Sequence, residues 1–248
     1  YAHVPMILGS DGKRMSKRHG ATSVMQYREE GFMPEAVLNY LVRLGWSHGD
    51  QEIFALDEML ELFDVNTINV AASTFNQEKM LWLNQHYIKT SPPEHVAHHL
   101  SWHLGQRGID PTEGPELTEV IQLFQERSRT LAEMAEQMAF FYRDVDEYHP
   151  KDARKHLKAA VLPALEDALQ RFADMEWTRE NISNAIQALL EQHDLKMPKL
   201  AMPIRVAIAG RASTPSIDET LLVLGQANTV ARIGRAIDYL KRQSSDSE

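Results

Sequence analysis

Four cations fall within six residues near the start of the chain: Lys13, Arg14, Lys17 and Arg18, with Met15 and Ser16 between them and Gly12 and Gly20 on either side. Glycine lets the backbone approach an anion closely, and each cation beside a phosphate oxygen gains up to ~4 kcal/mol at an intermediate dielectric. Such a loop can grip a polyphosphate, although composition alone fits a solvated basic loop more readily. A second cluster, His95, His98, His99 and His103, places three imidazoles at a spacing of four, which suits metal ligation from one helix face. Leu100 and Leu104 claim the core side of that helix. The histidines are therefore expected on a solvated flank, and no metal site is expected. Carboxylates are plentiful, but none forms a pair that can be placed in a pocket.

Composition narrows the class. The 248 residues, 43% hydrophobic and 25% charged, give room for one large domain or two to three small ones. No apolar run approaches a membrane span. The opening Tyr1-Ala2-His3-Val4-Pro5 lacks a charged leader and an initiator methionine, and it reads as a chain cut in the middle. The lack of cysteine excludes disulfides and thiolate metal sites and fits a cytosolic protein. Net charge is −9, unevenly spread. Residues 1–50 carry 6 basic against 5 acidic residues, residues 51–196 carry 13 against 25, and residues 197–248 carry 7 against 5. Both ends are mildly basic, so local RNA binding remains open.

The elements that must hold these residues are mostly helical. Val4 to Leu8 reads as a strand ahead of the basic loop. Ser23 and Gln26 form a capping box for a short helix ended by Gly31. Pro34 opens a helix with Val37, Leu38, Leu41 and Leu44 on one face, stopped by Gly45. Asp57 caps a helix to Phe63, and Asn76 caps one carrying Met80, Leu81, Trp82 and Leu83. Ser91-Pro92-Pro93-Glu94 breaks the chain and caps the next helix, with Pro92 as its first residue. Val96, Leu100 and Leu104 form one stripe. Leu117, Val120, Ile121 and Phe124 form another. Thr130 and Glu133 box a helix with Met134 and Met138, and Pro163 breaks or kinks a run that starts at Pro150. Trp177-Thr178 opens a further helix, and Pro198 and Pro203 bracket a bend before residues 204–209. Ser216 and Glu219 cap residues 217–224. A last helix holds Val230, Ile233, Ile237 and Leu240, with residues 243–248 as a frayed tail.

Arg14-Met15-Ser16-Lys17-Arg18 resembles the Lys-Met-Ser-Lys-Ser loop of class I aminoacyl-tRNA synthetases, and residues 12–21 are similar to its form in bacterial glutamyl-tRNA synthetases. The departures, Arg14 for the first lysine and Arg18 for the last serine, keep or add charge. Residues 38–46 and 79–88 look like that family's stem-contact region, with Trp82 expected in the core. The resemblance implies a mainly α protein: a short α/β stem-contact piece with the basic loop (1–91), then two helical anticodon-binding domains (92–148 and 149–248). It implies that Lys17 meets the pyrophosphate in the transition state, with Arg14, Ser16 and Arg18 on the ATP phosphates. It implies that Arg127 reads the last anticodon base, and that Arg205, Thr214, Pro215 and Ile217 hold the others.

The family's His-x-Gly-His motif and a Gly-rich turn for ATP are absent from the sequence, so the chain resembles the C-terminal portion of such an enzyme and is expected to be inactive alone. ATP with Mg2+, and glutamate, would then act through an N-terminal domain outside it. The family's zinc-binding cysteines also lie outside this portion, so no zinc is expected here. The partner implied is the glutamate tRNA, with a monomeric, cytoplasmic protein and no membrane. A stand-alone tRNA-binding module, or a helical scaffold with an incidental basic loop, are the other readings.

Overall fold

A computed structural model describes residues 3–16 and 23–245. In chain order its elements are β1 (Ile7–Leu8), α1 (Val24–Glu30), α2 (Pro34–Arg43), α3 (Leu56–Leu62), β2 (Ser73–Thr74), α4 (Gln77–Thr90) and α5 (Pro93–Gln106). Then come α6 (Leu117–Phe124), α7 (Leu131–Met138), α8 (Pro150–His156), α9 (Leu162–Asp174), α10 (Arg179–Gln192), α11 (Met197–Ala209), α12 (Ile217–Leu224) and α13 (Gln226–Ser245). The two short strands pair in parallel, Ile7 with Ser73 and Leu8 with Thr74. The mainly α architecture with a small α/β piece is thus present. Two compact units form, one from residues up to 108 with 124–136, the other from 109–123 with 137–248.

In the first unit, α2 and α4 supply the core. The buried stripe of α2 is Ala36, Val37 and Tyr40, continued by Leu44, whereas Leu38 and Leu41 are each 43% exposed. The expected face of Val37, Leu38, Leu41 and Leu44 is therefore split: Tyr40 takes the inward position between Val37 and Leu44, and its hydroxyl accepts from Asn76 N–H at 2.6 Å. On α4, Met80, Leu83, Asn84 and Ile88 turn inward at helical spacing. Trp82 falls off that stripe and is 47% exposed, so its expected core role does not hold. Tyr87 is the aromatic that packs, its hydroxyl 2.7 Å from Asn39 Oδ1 and 2.8 Å from the Phe54 carbonyl oxygen. Burial pushes that phenol up to about 12.

Several caps differ from their sequence reading by one position or one partner. Ser23 Oγ accepts from Met25 N–H, while the Gln26 side chain donates to Glu30 instead of closing a box. Ala55, not Asp57, caps α3, because Glu58 reaches back to the Ala55 amide at 2.8 Å. Pro93 takes the first turn of α5, with Pro92 as the extended residue before it. Glu133 accepts from Arg129 N–H, one residue earlier than expected, while Thr130 Oγ1 accepts from Glu133 N–H. Asn76 caps α4 as expected, through Lys79 N–H.

The second unit packs α9 against α13 and α10 against α12. Pro163 starts α9 instead of breaking a helix, a placement open to proline because a first-turn amide has no intrahelical acceptor. Pro203 lies inside α11, which runs unbroken in assignment across the expected bend. Ser216 Oγ donates to the Glu219 carboxylate and caps no amide. Helix α13 continues to Ser245, past the start of the expected tail at residue 243, and residues 246–248 lie outside the described residues. Arg232, 3% exposed, donates to the carbonyls of Phe140, Ile208 and Arg143 at 2.8, 2.6 and 2.9 Å. A buried guanidinium is tolerable here because carbonyls meet it on two of its nitrogens.

Asn84 does comparable work in the first unit. It is fully buried; its Oδ1 accepts from Met33 N–H at 2.7 Å, and its Nδ2 donates to the carbonyls of Gly31 and Arg129 at 3.2 and 2.7 Å. Gly31, with φ 89°, has no room for a side chain, since a Cβ would stand 2.3 Å from Ala132 N. Asn84→Ala leaves Met33 N–H and Arg129 O without this partner, while Gly31 O keeps Leu131 N–H, and is expected to cost about 3 kcal/mol in urea unfolding. Trp82→Ala, on the same helix, is expected to change stability little; equal losses for the two variants would contradict this division of roles.

Candidate nucleic-acid interface

Three places hold the residues singled out in the sequence. The first is the hairpin that opens the basic loop. Gly9 N–H donates to Lys13 O and Met15 N–H to Ile7 O, both at 2.8 Å, and Leu8 bridges Arg14 in antiparallel fashion. Gly12, with φ 73°, lets the chain reverse, and Asp11 Oδ1 accepts from Lys13 N–H at 3.0 Å. The turn delivers Arg14 and Ser16 to solvent, both exposed. Lys17 and Arg18 lie outside the described residues.

The second place is the segment after α6. Gln125, 8% exposed, donates through Nε2 to the carbonyls of Ile88 and Ser91 at 2.8 and 2.9 Å. Gln85 Nε2 donates to Glu126 O, Lys89 pairs with the Glu126 carboxylate at 2.6 Å, and Arg129 pairs with Glu78 at 2.7 Å. These bonds clamp residues 125–129 along α4, and exposed Arg127 stands in the clamped turn. The ion pairs are exposed, so each contributes at most about 1 kcal/mol; the buried Gln125 bonds hold the turn. Hydrophobic periodicity gave no sign of Gln125 or Gln85, because their work is done by amide hydrogen bonds to backbone.

The third place, in the other unit, brings Arg205, Thr214, Pro215 and Ile217 together. Arg205 Nε donates to Thr214 Oγ1 at 3.0 Å, Thr214 Oγ1 donates to Pro215 O at 3.0 Å, and Arg205 Nη2 donates to the same carbonyl at 3.3 Å. Thr214 and Ile217 are buried, 7% and 6% exposed, and Arg205 is half-buried. Arg205 is therefore more than a surface cation beside a turn: its planar fork sets the turn's shape. The approach is fixed from behind. Gly210 ends α11 with φ 73°, its carbonyl accepts from His149 N–H at 2.8 Å, and Ala212 N–H donates to Asp152. Arg179 holds the start of α12 through Asp218 and Glu219 at 3.2 and 2.8 Å.

One of the four histidines departs from the expected solvated flank. His103 is 2% exposed, and burial first, then Arg107 and Arg28, push its imidazole down to about 4. It is a core residue, neutral at physiological pH, because α5 is covered on the His103 side as well as along Val96, Leu100 and Leu104. Among the described residues no helix is long and apolar enough to cross a membrane.

Two family models match the chain, one in each part. Residues 94–237 match the family described as anticodon binding domain, and residues 1–82 match tRNA synthetases class I (E and Q), catalytic domain. The chain is 59% identical over 246 residues to glutamate–tRNA ligase 1 of Nitrosococcus oceani, covering 99% of this chain and 52% of that protein. It is 51% identical over 243 residues to glutamate–tRNA ligase 2 of Halorhodospira halophila, covering 98% and 52%. A crystal structure of a glutamate tRNA ligase from Elizabethkingia meningosepticum in complex with its amino acid superimposes with TM-score 0.82 at 27% identity, over 96% of this chain and 51% of that one. The chain spans about half the length of the curated relatives it matches. With a family match across more than half of its residues, the chain belongs to the anticodon binding domain family.

Proposed function

We propose that the chain is the tRNA-reading portion of a glutamate–tRNA ligase, which joins glutamate to its tRNA at the expense of ATP. The observation that carries this is the 59% identity to a protein of that name across nearly the whole chain. By itself the chain binds glutamate tRNA without ATP. Residues 1–91 carry the activation loop and stem contact, and residues 92–148 and 149–248 carry anticodon recognition. ATP with Mg2+, and glutamate, belong to the complete enzyme, which acts as a cytoplasmic monomer.

The residues present suit these roles chemically. Arg14 and Ser16, exposed at the end of the hairpin, are a fixed cation and a hydroxyl donor of the kind a triphosphate needs. Lys17 follows them and meets the charge that builds on pyrophosphate as glutamate attacks the α-phosphorus; Arg18 adds a second cation. Arg127 presents a guanidinium whose parallel donors match a base edge, and its turn is held still by Gln125. The Arg205–Thr214–Pro215 turn with Ile217 offers a rigid, partly apolar seat on which unstacked bases can rest.

Two outcomes test the assignment. Arg127→Gln in the chain as it stands is expected to lower the preference for the glutamate anticodon over one altered at its third base by about tenfold or more, measured by titration with both tRNAs. Preference unchanged by the substitution removes Arg127 from base reading. In the complete enzyme, Lys17→Ala is expected to slow glutamate-dependent pyrophosphate exchange by about a hundredfold or more, with tRNA affinity retained. An undiminished exchange rate contradicts the role given to Lys17.

A further inference from the structure

Helix α5 carries His95 and His99 one turn apart, on the same face. The sequence by itself does not show which distant acid faces them. The fold does: Glu35, in the first turn of α2, meets them from the neighbouring helix, 60 residues away in the chain. Glu35 Oε1 lies 2.7 Å from His95 Nε2, and the His95 and His99 rings meet edge to face with centroids 4.9 Å apart. One donor atom from each of the three residues lies within 4.8 Å of the other two. All three belong to the first compact unit.

A second observation is independent of that spacing. The other carboxylate oxygen, Glu35 Oε2, is buried and has no hydrogen-bond partner. An ionised oxygen left that way costs free energy, and a cation is the group that would repay it. The side chains of Glu35 and His95 are 33% and 41% exposed, so an ion can enter from solvent.

We propose that Glu35, His95 and His99 form a site for a divalent transition-metal ion of the zinc class, joining α2 to α5. The donor set selects the class. Two imidazoles and one carboxylate suit Zn2+ or Co2+, whereas Mg2+ and Ca2+ prefer oxygen-only shells. Bonds of about 2.0–2.1 Å in tetrahedral geometry put donor atoms about 3.4 Å apart, so closing the site needs only side-chain rotation from the present spacing. Water, or the neighbouring His98, whose ring centroid is 5.1 Å from that of His99, can complete the shell. Burial holds His99 below the usual imidazole range, and Glu35, His95, His98 and Arg28 all act on it electrostatically. Arg28, the one fixed cation in that set, is packed 4.8 Å over the Trp102 ring.

Because the donors come from two helices, the ion binds the folded unit in preference to the unfolded chain and raises its melting temperature. Titration of the chain with Co2+ at neutral pH, followed by the visible absorption of the bound ion and then by displacement with Zn2+, tests the site. One saturable equivalent is expected, with Zn2+ raising the melting temperature. His99→Ala and Glu35→Gln are each expected to weaken Zn2+ binding by more than about tenfold, with His48→Ala, at a distant histidine, leaving it unchanged. Circular dichroism of each variant separates lost binding from lost fold, and His95→Ala provides a third reading at the more exposed ligand. Failure to saturate, or affinity unchanged in correctly folded His99→Ala and Glu35→Gln, overturns the assignment and leaves only adventitious binding among the 11 histidines.

Discussion

The first unit depends on one buried amide. Asn84 sits inside α4, where a polar side chain would ordinarily be a liability, and satisfies three backbone groups from two other stretches of chain. One stretch is the Gly31–Met33 link between α1 and α2. The other is Arg129, in the segment that also carries Arg127. The same contact therefore fixes the tight passage of Gly31 past Ala132 and the path of the turn that displays Arg127. Hydrophobic burial supplies most of the stabilisation, but burial alone is indifferent to register. The amide makes one register far cheaper than its neighbours, since a shift would orphan buried donors and acceptors.

The second unit uses cations for the same purpose. Arg232 joins the carbonyls of Phe140, Arg143 and Ile208, and Arg205 joins Thr214 to Pro215 three residues before Ile208 on the same helix, α11. One arginine thus anchors the end of α11 and the other shapes the loop that follows it. Gly210 makes the connection possible, because a Cβ there would stand 3.1 Å from Glu147 O and its φ of 73° disfavours other residues. A guanidinium already bonded to Thr214 and Pro215 holds this turn in one shape, so little further ordering is needed there.

Much of the fold was legible because helices advertise their buried stripes. Val96, Leu100 and Leu104 are all fully buried, and Asn76 caps α4 where its type and position suggest. The errors have physical causes. Leu38 and Leu41 share the helical period of Val37 and Leu44 closely enough to pass for the core face, yet Tyr40 wins it through a hydrogen bond that apolarity does not register. Proline suggests a break or kink at 163 and a bend between 198 and 203, although first-turn proline is benign and the helix around Pro203 is supported by burial on nearly every side. Trp82 was assigned to the core by residue type, and helical phase put it outside. Of the candidate sites, the Arg205–Thr214–Pro215 turn was legible through a family pattern. The Glu35–His95–His99 cluster was not, because no local spacing links positions on two helices.

Chemical footprinting of glutamate tRNA bound to this chain tests the tRNA-reading role most directly. If residues 94–237 act as their family membership implies, the three anticodon bases become protected without ATP or glutamate, and the protection survives added competitor RNA. Binding that leaves the anticodon bases as reactive as in free tRNA would contradict that role.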